Sequence, residues 1–149
     1  MKPQKISPLD RAPRARPLIL VVDDYSDNRE MYGEYLGFKG FDVAEAATGQ
    51  EAIDKAFALH PDLIMMDLSL PGMNGWEATR RLKADERTRA IPILMVTGYA
   101  QSEDAKIAAE VGCDAFLAKP CLPEDLNAQI DRMLARARGL MPHKAGTPA

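Results

Sequence analysis

Residues 61–77 read PDLIMMDLSLPGMNGWE. Leu63-Ile64-Met65-Met66 is a continuous apolar run whose length suits a strand covered on both faces better than a helix. It ends on Asp67. Pro71-Gly72 then marks a turn, and Asn74 followed three residues later by Glu77 has the spacing of a helix start. An acidic side chain is therefore expected at the C-terminal end of a buried strand, the edge at which open α/β sheets bind ligands.

The same pattern recurs on both sides of this stretch. Leu18–Val22 is an apolar run that ends on Asp23-Asp24, and Phe41-Asp42-Val43-Ala44 reads as a short second strand. Pro92–Val96 is a fourth strand that delivers Thr97, and Asp114–Ala118 a fifth that delivers Lys119-Pro120. Helical patterns separate them. Ser26 or Asp27 is expected to cap the first helix, with Glu30 at capping-box distance from Asp27 and Met31, Tyr32, Tyr35 and Leu36 as its apolar stripe. Thr48 and Glu51 form a capping box that opens the second, with Ala52, Ile53, Ala56 and Phe57 inward and His60-Pro61 at its close. The third helix, from Asn74, buries Thr79 and Leu82. Ser102 opens an alanine-rich fourth helix that Gly112 stops. Pro123, Glu124 and Asp125 suit the first turn of a fifth, whose inner stripe is Leu126, Ile130, Met133, Leu134 and Ala137. Strands alternating with helices predict a parallel sheet with right-handed crossovers. The expected fold is α/β: a flavodoxin-like (βα)5 doubly wound sheet with strand order 2-1-3-4-5.

With 149 residues and 46% hydrophobic content, the chain suits one ordinary globular domain. The expected division is a basic, Pro-rich flexible arm over 1–17, the domain over 18–137 and a flexible tail over 138–149. The arm carries +4 of a net charge of −3, which leaves −7 for the remainder. A body this acidic is a poor partner for nucleic-acid phosphates, so no DNA binding is expected. No apolar run approaches the ~18 residues of a membrane helix, and the N-terminus lacks the apolar core of a signal peptide. Cys113 and Cys121 have no metal-binding spacing and read as reduced thiols, so a cytoplasmic protein is expected.

Parallel strands bring Asp23-Asp24, Asp67, Thr97 and Lys119 to one edge of the sheet. In the 2-1-3-4-5 order the first and third strands are neighbours, so the three carboxylates meet in one crevice. Carboxylates so crowded resist ionisation together, and a divalent cation removes that penalty. All-oxygen ligands in a small, open site favour Mg2+ over a full Ca2+ cage. One of the carboxylates is then a plausible nucleophile for a phosphoryl group. The cation and the Lys119 ammonium supply the positive charge that such a transfer needs, and the Thr97 hydroxyl can donate to a phosphoryl oxygen. The rival reading of these residues is a structural acidic pocket with a satisfied lysine.

In VVDD at 21–24, MDLSLPGMNGWE at 66–77, VTG at 96–98 and DAFLAKP at 114–120, the sequence resembles the receiver domain of bacterial two-component response regulators. The resemblance runs from Leu18 to about Ala137 and implies specific roles. Asp67 would be the phosphoacceptor. Asp23 and Asp24 would be the Mg2+-binding acidic pair, Asp24 the more direct ligand, and the backbone carbonyl of Ser69 would complete the metal site. Thr97 would be the switch hydroxyl, Gly98 a backbone N–H donor to the phosphoryl group, and Lys119 its ion-pair partner, with the bond to Pro120 cis. Phe116 would be the switch aromatic, in a position more often tyrosine. Tyr25 stands where an acidic or amide residue is common, Tyr99 and Ser69 border the pocket, and Cys121 follows Lys119-Pro120 where larger apolar residues are frequent.

The resemblance further implies a signalling protein, not an enzyme, that catalyses only its own phosphorylation and dephosphorylation. Its phosphodonor would be a sensor histidine kinase or a histidine phosphotransfer protein. Its output would be protein–protein recognition through the fourth helix, fifth strand and fifth helix, where Ile107 and Val111 are the apolar candidates. A stand-alone receiver is expected. The alternatives are a phosphorelay shuttle, a receiver fragment of a hybrid kinase, and an aspartate-nucleophile phosphatase. The last usually has Asp-x-Asp on the first strand, where this chain has adjacent acids.

Overall fold

The structure, a computed structural model, describes residues 15–98, 106–107, 110–119 and 122–139. Its five strands are β1 (Leu18–Val22), β2 (Asp42–Ala46), β3 (Leu63–Asp67), β4 (Ile93–Thr97) and β5 (Ala115–Ala118). The helices are α1 (Ser26–Phe38), α2 (Gly49–Leu59), α3 (Gly75–Ala84) and α4 (Pro123–Ala137). Of the expected helix near 102–111, residues 106–107 and 110–111 are described, and they are helical. The strands form one parallel sheet in the order β2-β1-β3-β4-β5. The flavodoxin-like prediction therefore holds.

The alternation of side chains along each strand splits the core in two. Ile19, Val21, Leu63, Met65, Leu94 and Val96 face α1 and α4, where they meet Tyr32, Leu36, Leu126, Ile130 and Met133. Leu20, Val22, Ile64, Met66, Ile93 and Met95 face the other way and pack on α2 and α3 through Ala52, Ile53, Ala56, Ala78 and Leu82. Both faces of the central strands are covered, which is why they read as unbroken apolar runs rather than as alternation.

Helix starts follow the expected chemistry at α2, at α3 and at α4, whose first turn holds Pro123, Glu124 and Asp125, while Ser102 lies outside the described residues. Thr48 caps α2, its hydroxyl accepting from Glu51 N at 3.0 Å, while the Glu51 carboxylate accepts from Ala47 N at 2.6 Å. Asn74 caps α3, its side chain accepting from Glu77 N at 3.0 Å. At α1 the N-cap is Tyr25, and neither Ser26 nor Asp27 caps it with a side chain. The Tyr25 carbonyl instead accepts from Asn28 N and Arg29 N, and the Tyr25 N–H is held by the Asp23 carboxylate.

Two expected inward residues lie elsewhere. Met31 is 53% exposed because α1 docks through Tyr32 and Leu36, one turn apart, and Met31 falls to the side of that line. Ala137 is exposed in the last turn of α4. Phe57 packs on the core that faces α2 and α3, as expected, half-buried with the Arg87 guanidinium stacked 4.3 Å from its ring centre. Strand β2 extends to Ala46, since β1 pairs with it over its full length from Leu18 opposite Asp42 to Val22 opposite Ala46. Arg16, at the end of the expected arm, is tied down: it donates to Asp42, to the Gly37 carbonyl and to the Phe41 carbonyl.

A half-buried lysine stitches the sheet's far edge. Lys83 Nζ donates to the carbonyls of Arg89 (3.1 Å) and Ile91 (2.9 Å) and to Asp114 Oδ2 (2.8 Å), which also accepts from Ile93 N at 2.8 Å. Lys83→Met keeps most of the stem's packing and removes all three donors. It is expected to cost about 2 kcal/mol, because the part-buried Ile91 carbonyl loses its donor and the charge-assisted bond to Asp114 is lost with it. The check is a lower urea midpoint with an unchanged m value.

Candidate functional site

The C-terminal strand edge gathers the side chains that the sequence marks out. The Asp23 N–H continues the β1–β2 ladder by donating to the Ala46 carbonyl at 3.1 Å, which holds Asp23 at the end of β1. Asp67 closes β3 opposite Val96, and Thr97 closes β4 opposite Ala118. The Lys119 N–H donates to the Thr97 carbonyl at 2.6 Å, so the lysine leaves the sheet in register with that edge. Side chains separated by 96 and 52 residues then meet: Lys119 Nζ lies 3.2 Å from Asp23 Oδ2 and 3.5 Å from Asp67 Oδ2.

Asp23, Asp24 and Asp67 each offer an oxygen, all within 4.8 Å of one another. Asp23 is 2% exposed and Asp67 9% exposed, whereas Asp24 faces solvent. Two unit charges at that separation repel by about 3 kcal/mol at an effective dielectric constant of about 20. One lysine against three acids leaves excess negative charge. Burial pushes the Asp67 carboxyl up from its ordinary range; Lys119 pulls it back, Asp23 adds to the rise, and the Ser69 N–H on Oδ1 (3.1 Å) opposes it. For Lys119 burial acts against the charged form, yet the neighbouring Asp67 and Asp23 outweigh it and the ammonium titrates above its usual value. The arrangement keeps the Lys119 ammonium between two carboxylates and leaves the third, Asp24, open to solvent. Hard oxygen donors, an exposed member and unbalanced negative charge fit a small divalent ion.

The remaining expected residues sit around this cluster. Thr97 is fully buried, Gly98 and Ser69 are exposed, and Tyr25 is 56% exposed beside Asp24. Phe116 is half-buried against the core that faces α2 and α3. Tyr99, Pro120 and Cys121 lie outside the described residues, and so does the expected cis bond after Lys119. Ile107 is 37% exposed, but Val111 is buried at 8%, so of the two apolar residues singled out for partner contact only Ile107 presents a surface.

Two features escaped the sequence reading. Gly75, the first residue of α3, packs directly on the backbone of Asp67 and Leu68. A Cβ there would overlap the Asp67 carbonyl oxygen and come within 2.9 Å of Leu68 Cα. A glycine at the first position of a capped helix was the available signal, since it forgoes helix propensity for close approach. The second feature is the grip of α1 on Asp23. Asn28 Nδ2 donates to Asp23 Oδ2 at 3.2 Å, and an Arg29 guanidinium nitrogen donates to the Asp23 carbonyl at 2.7 Å.

A parallel sheet in this order, with three acids and a lysine at its C-terminal edge, defines a phosphoacceptor signalling domain. The chain belongs to the response regulator receiver domain family, whose model matches residues 19–131. It is 36% identical over 102 residues to the polar-differentiation response regulator DivK of Brucella ovis, covering 68% of this chain and 83% of that protein. It is 40% identical over 118 residues to the phosphate regulon transcriptional regulatory protein PhoB of Pseudomonas aeruginosa, covering 79% of this chain and 52% of that protein. Among solved structures, the chemotaxis protein CheY4 of Vibrio cholerae superposes with a TM-score of 0.76 at 33% identity, over 80% of this chain and 99% of that one. A CheY-like receiver domain protein from Methanospirillum hungatei gives 0.78 at 31% identity, over 83% and 98%. The protein is thus a two-component signalling domain of the kind that interacts with histidine kinases or phosphotransfer proteins; receiver domains generally bind Mg2+ at an acidic cluster, and this chain has a group of Asp23, Asp24 and Asp67. Among the described residues, no helix is long and apolar enough to cross a membrane.

Proposed function

We propose that this chain accepts a phosphoryl group on Asp67 from a histidine kinase or histidine phosphotransfer protein and signals the change to another protein. The observation that carries the reading is Lys119 Nζ held between the Asp23 and Asp67 carboxylates in a cluster of three acids. In the transfer, an Asp67 carboxylate oxygen bonds to phosphorus as the bond from phosphorus to the donor's imidazole nitrogen breaks. The nitrogen's electron pair takes a proton from solvent, and an acyl phosphate on Asp67 remains. Asp23, Asp24, Asp67 and the Ser69 carbonyl would hold Mg2+, which when bound offsets the acids' charge and that of the phosphoryl oxygens. Lys119 pairs with one of those oxygens, and the Thr97 hydroxyl and the Gly98 N–H donate to the others.

The added charge of about −1.5 to −2 is the signal. Thr97, drawn toward it, vacates space on the inner side of β4, and Phe116 on the adjacent strand turns inward. A partner that prefers this arrangement stabilises it, and full switching takes about 5.5 kcal/mol of differential stabilisation. The proposed output face is built from Ile107 and its helical segment, β5 and α4.

The test is incubation with Mg2+ and a small acyl-phosphate donor, followed by peptide mapping. The expected result is one base-labile phosphoryl group per chain, on Asp67, formed only with the divalent ion. A stable adduct on any other residue overturns the assignment.

A further inference from the structure

We propose that Asn28, in the first turn of α1, is a positioning residue that keeps the Asp23 carboxylate aimed at the cation site while Lys119 changes partner. The inference rests on the function proposed above and adds a residue to it. Asp23 is almost completely buried, so its carboxylate depends on protein donors for orientation. Among the described residues, Oδ1 has one, the Tyr25 N–H at 2.9 Å; Oδ2 has two, Asn28 Nδ2 and Lys119 Nζ, each at 3.2 Å. Lys119 is shared, since it also reaches Asp67 Oδ2. Once Asp67 carries a phosphoryl group, the new oxygens compete for the ammonium and draw it from Asp23. Asn28 is then the side-chain donor that still holds Oδ2.

The chemistry of an amide suits this task. A second cation at this position would weaken the attraction of the site for a divalent ion; a neutral donor orients the carboxylate and leaves its charge intact. Arg29, the next residue, grips the other end of Asp23 through its carbonyl, and its charge is offset by Glu45 Oε1 at 3.1 Å from Nε. Consecutive side chains of one helical turn therefore hold the carboxylate and the main chain of one metal-site residue. Outer partners of this kind tune ligand geometry and are worth ~10–100-fold in metal affinity.

The experiment compares the full chain with Asn28→Ala and Asn28→Gln. Mg2+ affinity is measured by calorimetry, labelling of Asp67 by a small acyl-phosphate donor across a Mg2+ series, and folding by urea titration. Alanine is the better helix former, so Asn28→Ala removes the donor without weakening α1 as a helix. Asn28→Gln retains an amide donor. The expected result is a Mg2+ dissociation constant at least tenfold higher in Asn28→Ala, with labelling restored at saturating Mg2+, and a change of under threefold in Asn28→Gln. A dissociation constant within twofold of wild type in Asn28→Ala overturns the proposal, as does an equal weakening in both variants. A wild-type chain that labels on Asp67 while the variants fail to differ removes this inference alone. A wild-type chain that neither binds Mg2+ nor labels removes the proposed function and this inference together.

Discussion

Asp67→Asn is expected to take up no phosphoryl group and, at neutral pH without divalent ions, to unfold at a higher temperature than the parent chain. The first effect follows from chemistry: an amide oxygen cannot replace the carboxylate as nucleophile, so labelling falls to background. The second follows from the electrostatics of the apo site. Burial raises the folded-state pKa of Asp67 above its unfolded value. A group shifted in that direction contributes stability that is fully present below the unfolded pKa, near 3.8, and lost as pH rises through the folded value. At pH 7 the parent chain has lost that contribution. Asparagine behaves as a permanently uncharged Asp67 and keeps it, free of both the burial cost and the repulsion from Asp23 that together raise the pKa. The advantage should shrink as pH falls below 4 and shrink again when Mg2+ is added to the parent, because the ion then compensates the acids. Thermal melts from pH 3 to 8, with and without Mg2+, check both trends. A variant less stable than the parent at pH 7 contradicts the proposed crowding.

Gly75→Ala is expected to cost about 3 kcal/mol, an overpacking penalty at the upper end of the usual range, and to lower the melting temperature by roughly 10 °C. The new Cβ meets backbone atoms of Asp67 and Leu68, which no rotamer change can move aside, and the Gly75 N–H bond to the Leu68 carbonyl (2.9 Å) ties the two segments in that place. Alanine's better helix propensity recovers at most ~1 kcal/mol. Relief must come from shifting α3 or the end of β3, so Mg2+ binding should weaken together with stability. Gly49→Ala is the comparison. Its Cβ would meet the Met73 carbonyl at 2.8 Å, farther along the same loop, and Asp67 itself is untouched. It should therefore lose less stability and retain cation binding. Urea titration and calorimetry of the two variants together separate a displaced site from a merely less stable fold.

Much of the fold could be read from residue order, for a local reason. A strand covered on both faces must be apolar throughout, and Leu63–Met66 is so because its alternate residues enter two different cores. Thr48 and Asn74 announce their helices because a capping oxygen needs only its own next turn. The same logic failed at Ser26 and Asp27, where the Asp23 carboxylate and the Tyr25 carbonyl organise the turn ahead of any cap. It failed again at Met31 and Val111, since a helical stripe shows which residues share a face but not which edge of that face meets the sheet. For Val111 the result is burial rather than a surface for partners.

That four polar groups stand at the ends of parallel strands follows from residue order, because strand direction and apolar length are written locally. How those groups are held depends on contacts between distant segments. Lys119 reaches Asp23 and Asp67 across 96 and 52 residues, Asn28 and Arg29 turn back on Asp23, and Gly75 gives up its side chain to the backbone of Asp67. Such contacts arise from the register of neighbouring strands and the seating of helices on the sheet. Those are settled by packing over the whole domain, and no short window of residues contains them.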